Sequence, residues 1–361
     1  MSFSGWIMAR SGGAQLRILH VTDRYSGGVG RAIDRITELV PEAEHHLLST
    51  GIESIDGRGV YRTAAQLPDG ISARVRAVRH AIGDVAPDVV HAHSSWAGLY
   101  TRLRRLPVPV VYQPHCYYFE RADLPAPMRS AVRAMERALA ANGSVVAAVS
   151  RREESLALSM GVRDVVRIPN APSSAAVREV GARSGAPAVD RGTVTMVGRV
   201  VAQKDPRFFA ETARYAYRFG LGLSFRWLGD GDKALVRELR DAGVEVTGWL
   251  TADDVMHELV ASDVYLHCAA YEGFPISVLD AARVGLPTVV RRIPAFEGTR
   301  LTTARTPAEA AFAAHAAVAD PEQRLRMIAS GDRLVGEMDE SALHDGVVRA
   351  YALATGGALV R

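Results

Sequence analysis

Tyr271-Glu272-Gly273-Phe274-Pro275-Ile276-Ser277-Val278-Leu279-Asp280-Ala281-Ala282-Arg283-Val284-Gly285-Leu286-Pro287 is the stretch that decides the fold. It follows the apolar run Val264–His267 and precedes another, Thr288–Val290. Between them a Gly/Pro loop opens a helix over Ile276–Ala282. Strand, loop, helix and strand in that order make the repeating unit of a parallel sheet. In such sheets ligands sit outside the carboxyl ends of the strands, where loops enter helices. Backbone amides near Gly273–Ile276 would therefore face any bound anion. Glu272 lies in the loop, and Asp280, eight residues on, lies inside the helix.

Working outward, the same alternation fills the chain. Leu16–Thr22, Asp88–Ala92, Val108–Tyr112 and Ser144–Val149 read as buried strands, with helices over Ile71–Ile82 and Met128–Ala141 between them. Gly27–Leu39 reads as a loop running into a helix. Ser150 and Glu153 have capping-box spacing, which starts a helix directly after a strand. Periodicity fades over Ser173–Gly192, the candidate linker and hinge, and then resumes. Thr193–Val197, Ser224–Leu228 and Val244–Thr247 are strands of a second series. The expectation is an α/β protein with two doubly wound, Rossmann-like domains. Residues 1–15 form a loose leader, 16–175 the first domain and 190–339 the second, with residues about 340–361 returning to the first.

Composition sets limits. The 361 residues suit two domains of ordinary size. A hydrophobic share of 48% and a charged share of 23% exclude a disordered or fibrous chain. A net charge of +3 without dense basic clusters points away from nucleic acid. Cys116 and Cys268 stand far apart with no Cys/His ligand spacing, so neither a zinc site nor a disulfide framework is expected. No apolar run approaches the roughly 20 residues that span a bilayer. A cytoplasmic location is expected, with peripheral contact at the inner face of a membrane as the variant. Only Lys204 and Lys233 are lysines among the 43 basic residues.

Two more strand-end loops could hold phosphate. Ser26-Gly27-Gly28-Val29-Gly30 follows the first strand, but it lacks the third glycine of a dinucleotide fingerprint and the Lys-Ser/Thr of a P-loop. Read alone, it serves a tight turn as well as a phosphate. Gly198-Arg199, with Lys204 five residues later, could clamp a diphosphate or form a solvated surface pair. An acidic loop residue such as Glu272 beside an anion site makes sense if it bonds sugar hydroxyls.

Together and in this order, these loops resemble the retaining family 4 glycosyltransferases of the GT-B fold. The resemblance spans about Arg17 to Leu353. Glu272-Gly273-Phe274-Pro275 through Asp280 to Gly285-Leu286-Pro287 resembles the family's E-x7-E signature with its Gly-x-Pro. Gly198-Arg199 with Lys204 is similar to its diphosphate-binding Gly-Arg and Lys, and Gly27-Gly28 to its N-domain glycine pair. Ile168-Pro169-Asn170 and Gly229-Asp230-Gly231 match its Pro-Asn and Gly-x-Gly turns. Asp230-Gly231-Asp232 is accordingly read as a turn rather than a metal-binding D-x-D.

The resemblance implies roles residue by residue. Glu272 bonds the transferred sugar, and Gly273, Phe274, Pro275 and Ile276 offer the phosphates an amide-lined turn. Arg199 and Lys204 neutralise the leaving diphosphate. Thr247 lies in the segment whose backbone reads the base. His115 falls where the family places a histidine near the reacting sugar, while His91 and His93 stay structural or on the acceptor side. Asp280 stands where the family has a second glutamate on the ribose, one methylene shorter. The implied reaction is metal-independent, needs no cofactor and retains anomeric configuration, as in polysaccharide biosynthesis. Its donor is a nucleotide sugar, UDP-linked on family frequency, held mostly by the second domain. A sugar, lipid-linked or small-molecule acceptor binds mostly to the first. Arg74, Arg76 and Arg79, with Arg102, Arg104 and Arg105, could rest on anionic lipid head groups or form a solvated face. A sugar-nucleotide epimerase, or a homologue that binds without catalysing, shares these loops; a nicotinamide dehydrogenase fits them least.

Overall fold

The computed structural model describes residues 15–51, 60–143, 145–173 and 192–357. Nearly all of the leader expected over residues 1–15, and nearly all of the hinge expected at Ser173–Gly192, lie outside the described residues. The chain divides into two units, Met1–Ala171 with Asp339–Arg361, and Pro172–Met338.

The first unit holds a seven-stranded parallel sheet: β1 (Arg17–Thr22), β2 (Glu44–Ser49), β3 (Tyr61–Gln66), β4 (Val89–His93), β5 (Val110–Gln113), β6 (Val145–Ala148) and β7 (Val165–Arg167). Their order is β3-β2-β1-β4-β5-β6-β7. The chain therefore reverses direction across the sheet between β1 and β4, which opens a crevice at their carboxyl ends. Helices α1 (Gly27–Leu39), α2 (Ile71–Val85), α3 (Ser95–Arg102), α4 (Ala126–Leu139) and α5 (Arg151–Ser159) connect the strands. Leu19, Val21, Val90, Ala92 and Tyr112 bury one sheet face against Val78 and Ile82 of α2 and Ala97 of α3. Both faces of a parallel sheet must be covered, and alternation along the strands supplies two apolar surfaces for it.

The second unit repeats the plan with β8 (Gly192–Val197), β9 (Leu223–Leu228), β10 (Val244–Val246), β11 (Val264–His267), β12 (Thr288–Arg291) and β13 (Thr302–Ala304), ordered β10-β9-β8-β11-β12-β13. Its switch point lies between β8 and β11. Around it pack α6 (Pro206–Arg218), α7 (Lys233–Asp241), α8 (Ala252–Ala261), α9 (Ile276–Arg283), α10 (Pro307–Ala319) and α11 (Pro321–Glu337).

The last helix, α12 (Glu340–Thr355), belongs to the first unit, where Val347, Val348 and Tyr351 join Ile18, Val89, Val111 and Ile36 in the core of the second sheet face. Gly346 lets it lie close, since a Cβ there would stand 2.5 Å from the Arg167 carbonyl oxygen.

Four strands escape a reading of apolar runs. β2 begins Glu44-His45-His46, and β3 is an exposed edge strand of mixed polarity. β7 and β13 have three residues each. The helix expected to end at Ile82 runs on to Val85, where Ala86 closes it in a left-handed conformation. The one expected from Met128 begins at Ala126, because Pro127 is tolerated in a first turn whose N–H groups have no helical partner.

Candidate active site

In the second unit, the loops after β8 and β11 are laced together at the switch point. Gly198 takes φ +153 and carries no side chain, which leaves room for Lys204: a Cβ there would lie 3.3 Å from Lys204 Cε. The Gly229-Asp230-Gly231 turn packs on the same loop so closely that a Cβ on Gly229 would meet the Gly198 oxygen at 2.2 Å. One on Gly231 would meet the Val200 oxygen at 2.3 Å. Asp232 caps α7, accepting from the amides of Ala234 at 2.8 Å and Leu235 at 3.1 Å, and Asp230 accepts from the Gly231 amide. The Asp-Gly-Asp run is thus a turn and a helix cap.

Across the loops, the Cys268 thiol donates to the Lys204 carbonyl at 3.1 Å, and the Ala270 amide to that of Gln203 at 2.9 Å. These clips hold Lys204 against Glu272, and the Lys204 ammonium bonds Glu272 Oε1 directly. His267 Nε2 lies 3.5 Å from the same oxygen. Burial pushes the Glu272 carboxyl up, but the Lys204 charge and His267 outweigh it, and the group is held down to about 2. Glu272 is therefore an ionised acceptor. Arg199 is exposed at the rim.

The turn Gly273, Phe274, Pro275 is buried and leads into α9, whose first amides find no acceptor inside the helix. Thr247 sits at the end of β10, its amide donating to the Trp227 carbonyl at 3.1 Å and its hydroxyl to that of Gly248 at 3.0 Å. Asp280 is buried in α9 and accepts from the Ser173 amide at 2.7 Å and its hydroxyl at 3.1 Å. Ser173 is a partner that sequence spacing gives no reason to expect.

In the first unit, Gly27 and Gly28 open α1 directly beyond β1; both are exposed, and a Cβ at either would meet nothing within 4 Å. Gly27 takes φ +59, which favours glycine at this helix start. Beside it the backbone is strained without glycine: Ser94 after β4 has φ 86, and His115 and Cys116 after β5 have φ 51 and 108. Such conformations cost on the order of 1–3 kcal/mol each and cluster at functional sites. Buried Glu153 braces the turn, accepting from the amides of Cys116 at 2.5 Å and Val149 at 2.9 Å. Burial pushes its carboxyl up to about 7, although both amide bonds pull the other way. His115 is half-buried, and its Nε2 lies 3.1 Å from Nδ1 of fully buried His93. Burial holds His115 down to about 4, so its ring is neutral at physiological pH.

The arginine cluster needs correcting. Arg102 does not face a lipid surface: it is fully buried, pairs with buried Glu136 at 2.7 Å and lies 3.5 Å over the Tyr112 ring. A guanidinium can stay charged there because carboxylate, ring and the Gly98 carbonyl surround it. Arg74 donates to the Tyr100 hydroxyl at 2.6 Å. Arg76, Arg79, Arg104 and Arg105 remain exposed. Among the described residues no helix is long and apolar enough to cross a membrane.

Two family models match the chain, a glycosyl transferase 4-like domain over residues 12–171 and glycosyl transferases group 1 over residues 191–320. The chain belongs to the glycosyl transferase group 1 family. It is 27% identical over 232 residues to the UDP-Gal:alpha-D-GlcNAc-diphosphoundecaprenol alpha-1,3-galactosyltransferase of Escherichia coli, covering 57% of this chain and 58% of that protein. It is 26% identical over 215 residues to a subunit of the phosphatidylinositol N-acetylglucosaminyltransferase of Arabidopsis thaliana, covering 57% and 47%. The chain thus spans about half the length of these relatives. Anabaena HepE in complex with UDP-glucose shares the GT-B fold, with a TM-score of 0.74 at 15% identity over 94% of this chain and all of that one.

Within this group 1 transferase frame, Lys204 and Glu272 come together, while Thr247 is bonded to Trp227 and Gly248 and Arg199 is exposed. Sequence reasoning missed His267, whose only signal was its place at the end of β11. It also took Glu153 for a capping residue alone. Ser150 does accept from the Glu153 amide, but the Glu153 carboxylate goes to Cys116 and Val149 rather than back to Ser150.

Proposed function

We propose that this protein is a retaining, metal-independent glycosyltransferase that moves a sugar from a UDP-sugar to a lipid-linked acceptor. The observation that supports it most is the Lys204–Glu272 pair at the switch point, an ammonium and an ionised carboxylate beside a helix start. Lys204, Arg199 and the first amides of α9, with Gly273, Phe274, Pro275 and Ile276 shaping the turn, stabilise charge on the departing diphosphate. Glu272 accepts from hydroxyls of the transferred sugar, and Thr247 lies on the base side. Asp280 takes the ribose, for which Ser173 is a competitor. Gly27 and Gly28 leave the α1 amides open to phosphate, and His115 meets a sugar hydroxyl.

A lipid-linked acceptor is favoured because the names of two relatives carry one, a diphosphoundecaprenol and a phosphatidylinositol. The exposed Arg76, Arg79, Arg104 and Arg105 would support peripheral contact with anionic lipid.

UDP release is measured from UDP-galactose, UDP-glucose and UDP-N-acetylglucosamine, with and without a polyprenyl-diphosphate-linked N-acetylglucosamine. Release that depends on the acceptor supports the reading. Conversion of the nucleotide sugar without acceptor would make the protein an epimerase, and binding without turnover a non-catalytic homologue.

A further inference from the structure

Four histidines lie in a row across the first sheet. His45 is on β2, His20 on β1, His93 at the end of β4 and His115 just beyond β5. The row follows the order in which these strands neighbour one another. His45, His20 and His93 are buried, and they share the face that α12 covers, where Tyr351 bonds the neighbouring His91 at 2.8 Å. Each ring touches the next through nitrogen. His45 Nδ1 is 2.9 Å from His20 Nε2, His20 Nδ1 is 3.0 Å from His93 Nε2, and His93 Nδ1 is 3.1 Å from His115 Nε2. The row starts at a backbone group, since His45 Nε2 lies 2.9 Å from the Val40 carbonyl oxygen.

That carbonyl sets a direction. A carbonyl oxygen only accepts, so His45 must carry its proton on Nε2, and a neutral His45 then offers a lone pair at Nδ1. His20 must donate from Nε2 to meet it, which leaves His20 Nδ1 as an acceptor. The same logic passes through His93 to His115. Burial, reinforced by the neighbouring rings, holds His20 and His93 well below the ordinary range, and burial holds His45 below it, so neutrality is satisfied along the row. The other titratable groups facing the row are His91 and Tyr351, with Tyr61, Glu42 and His46 near its β2 end.

We propose that His45, His20 and His93 are positioning residues that fix the tautomer of His115, so that its Nδ1 stands open as a hydrogen-bond acceptor for a ligand hydroxyl. The proposal rests on the reading that His115 meets a sugar. A histidine on a half-buried strand-end turn would otherwise exchange between two tautomers, one of which presents an N–H where an acceptor is needed. Fixing the choice from three strands away removes that loss without placing any charge beside the ligand. The same nitrogens could be taken for a metal site, since His20, His91 and His93 each offer one within 4.8 Å of the others. The geometry favours the row: the His20 and His93 ring planes differ by only 27° with centroids 5.3 Å apart, and their nearest nitrogens face each other at hydrogen-bond distance.

The test is the tautomer itself. Protein labelled with 15N-histidine is examined near neutral pH by long-range proton–nitrogen correlation, which separates pyridine-like from pyrrole-like ring nitrogens. His115 is assigned by the signals lost in His115→Ala. All four rings are expected to carry the proton on Nε2. His45→Leu should release His115 into a mixture of tautomers and lower kcat by the fraction of the competent tautomer lost, about twofold for an even mixture, with donor KM unchanged. His45→Gln keeps an acceptor toward His20 and a donor toward Val40, and should restore both the spectrum and the rate. A proton on Nδ1 of His115 in the unsubstituted protein overturns the proposal, and so does a His115 signal unmoved by His45→Leu. Tight uptake of one equivalent of zinc, added alone and shifting the histidine signals, assigns the cluster to a metal instead. If His45→Leu fails to fold, the spectrum of the unsubstituted protein decides. The expected spectrum together with full transfer by His115→Ala would leave the row standing and sink the sugar contact.

Discussion

At the ends of β4 and β5 the first unit presents the imidazoles of His93 and His115, held neutral, and Glu153 of α5, which braces the turn after β5, has its carboxyl raised to about 7. At the ends of β8 and β11 the second unit presents an ammonium and a carboxylate in direct contact, with the carboxyl held down to about 2. Both sites stand at the switch point of a parallel sheet of similar strand order. One frame therefore carries two electrostatic characters, and the difference lies in the partners. Glu153 meets only amides in a buried turn, so desolvation wins. Glu272 meets a lysine, so Coulomb attraction wins. Neutral groups that accept and donate suit hydroxyls, whereas a paired cation suits a phosphate whose charge grows during reaction.

The comparison breaks most easily at Lys204. Lys204→Ala should lower kcat by roughly 10²–10³-fold, the loss expected for a group that stabilises charge on a leaving group. It should also let the Glu272 carboxyl rise, since the charge that opposes burial is gone. UDP release reads the first effect and the carboxyl-carbon NMR shift of Glu272 against pH the second, and near-normal transfer by a variant that circular dichroism shows to be folded would remove Lys204 from the reaction.

Much of this contrast was legible in the sequence, and the rest was not, for physical reasons. Loops that begin helices after apolar runs carry a strong signal, so Glu272, Lys204 and Gly27-Gly28 could be picked out individually. The contact between Lys204 and Glu272 could not, because it joins positions 68 residues apart. His45 and His46 hid β2, since a pair of histidines reads as polar surface although both are buried. Arg102 reads as surface because it sits in a run with Arg104 and Arg105, while its partner Glu136 lies 34 residues away. Local pattern marks where a loop can bind. Pairing across the sheet decides what charge the loop carries.

The next effect concerns the neutral side. Glu153 has a folded value near 7 against an ordinary 4.5, so its protonation stabilises the fold. That contribution is complete below about 4.5 and is lost as the pH rises through 7. Glu153→Gln, always neutral, lacks the dependence. Relative to that variant the natural protein should lose on the order of 2–3 kcal/mol of stability between pH 5 and pH 8, read by denaturant titration at each pH. A constant difference between the two would show that Glu153 is ionised throughout, and the electrostatic contrast between the units would narrow.

The smallest effect sharpens the charged side. Asp280 lies in the helix that follows Glu272, yet its carboxylate accepts from Ser173, which a bound ribose would have to displace. Ser173→Ala removes the hydroxyl at 3.1 Å and keeps the amide at 2.7 Å, so only the weaker of the two competitors goes. UDP should then bind about two- to fivefold more tightly by calorimetry, a fraction of one hydrogen bond. Asp280→Glu supplies the missing methylene and should tighten UDP by a similar factor with Ser173 in place. Tightening in both variants would put Asp280 on the ribose. Weaker binding in Ser173→Ala would instead make the Asp280–Ser173 contact part of the donor site, so that the shorter side chain is kept for the segment it anchors rather than for the nucleotide it reaches.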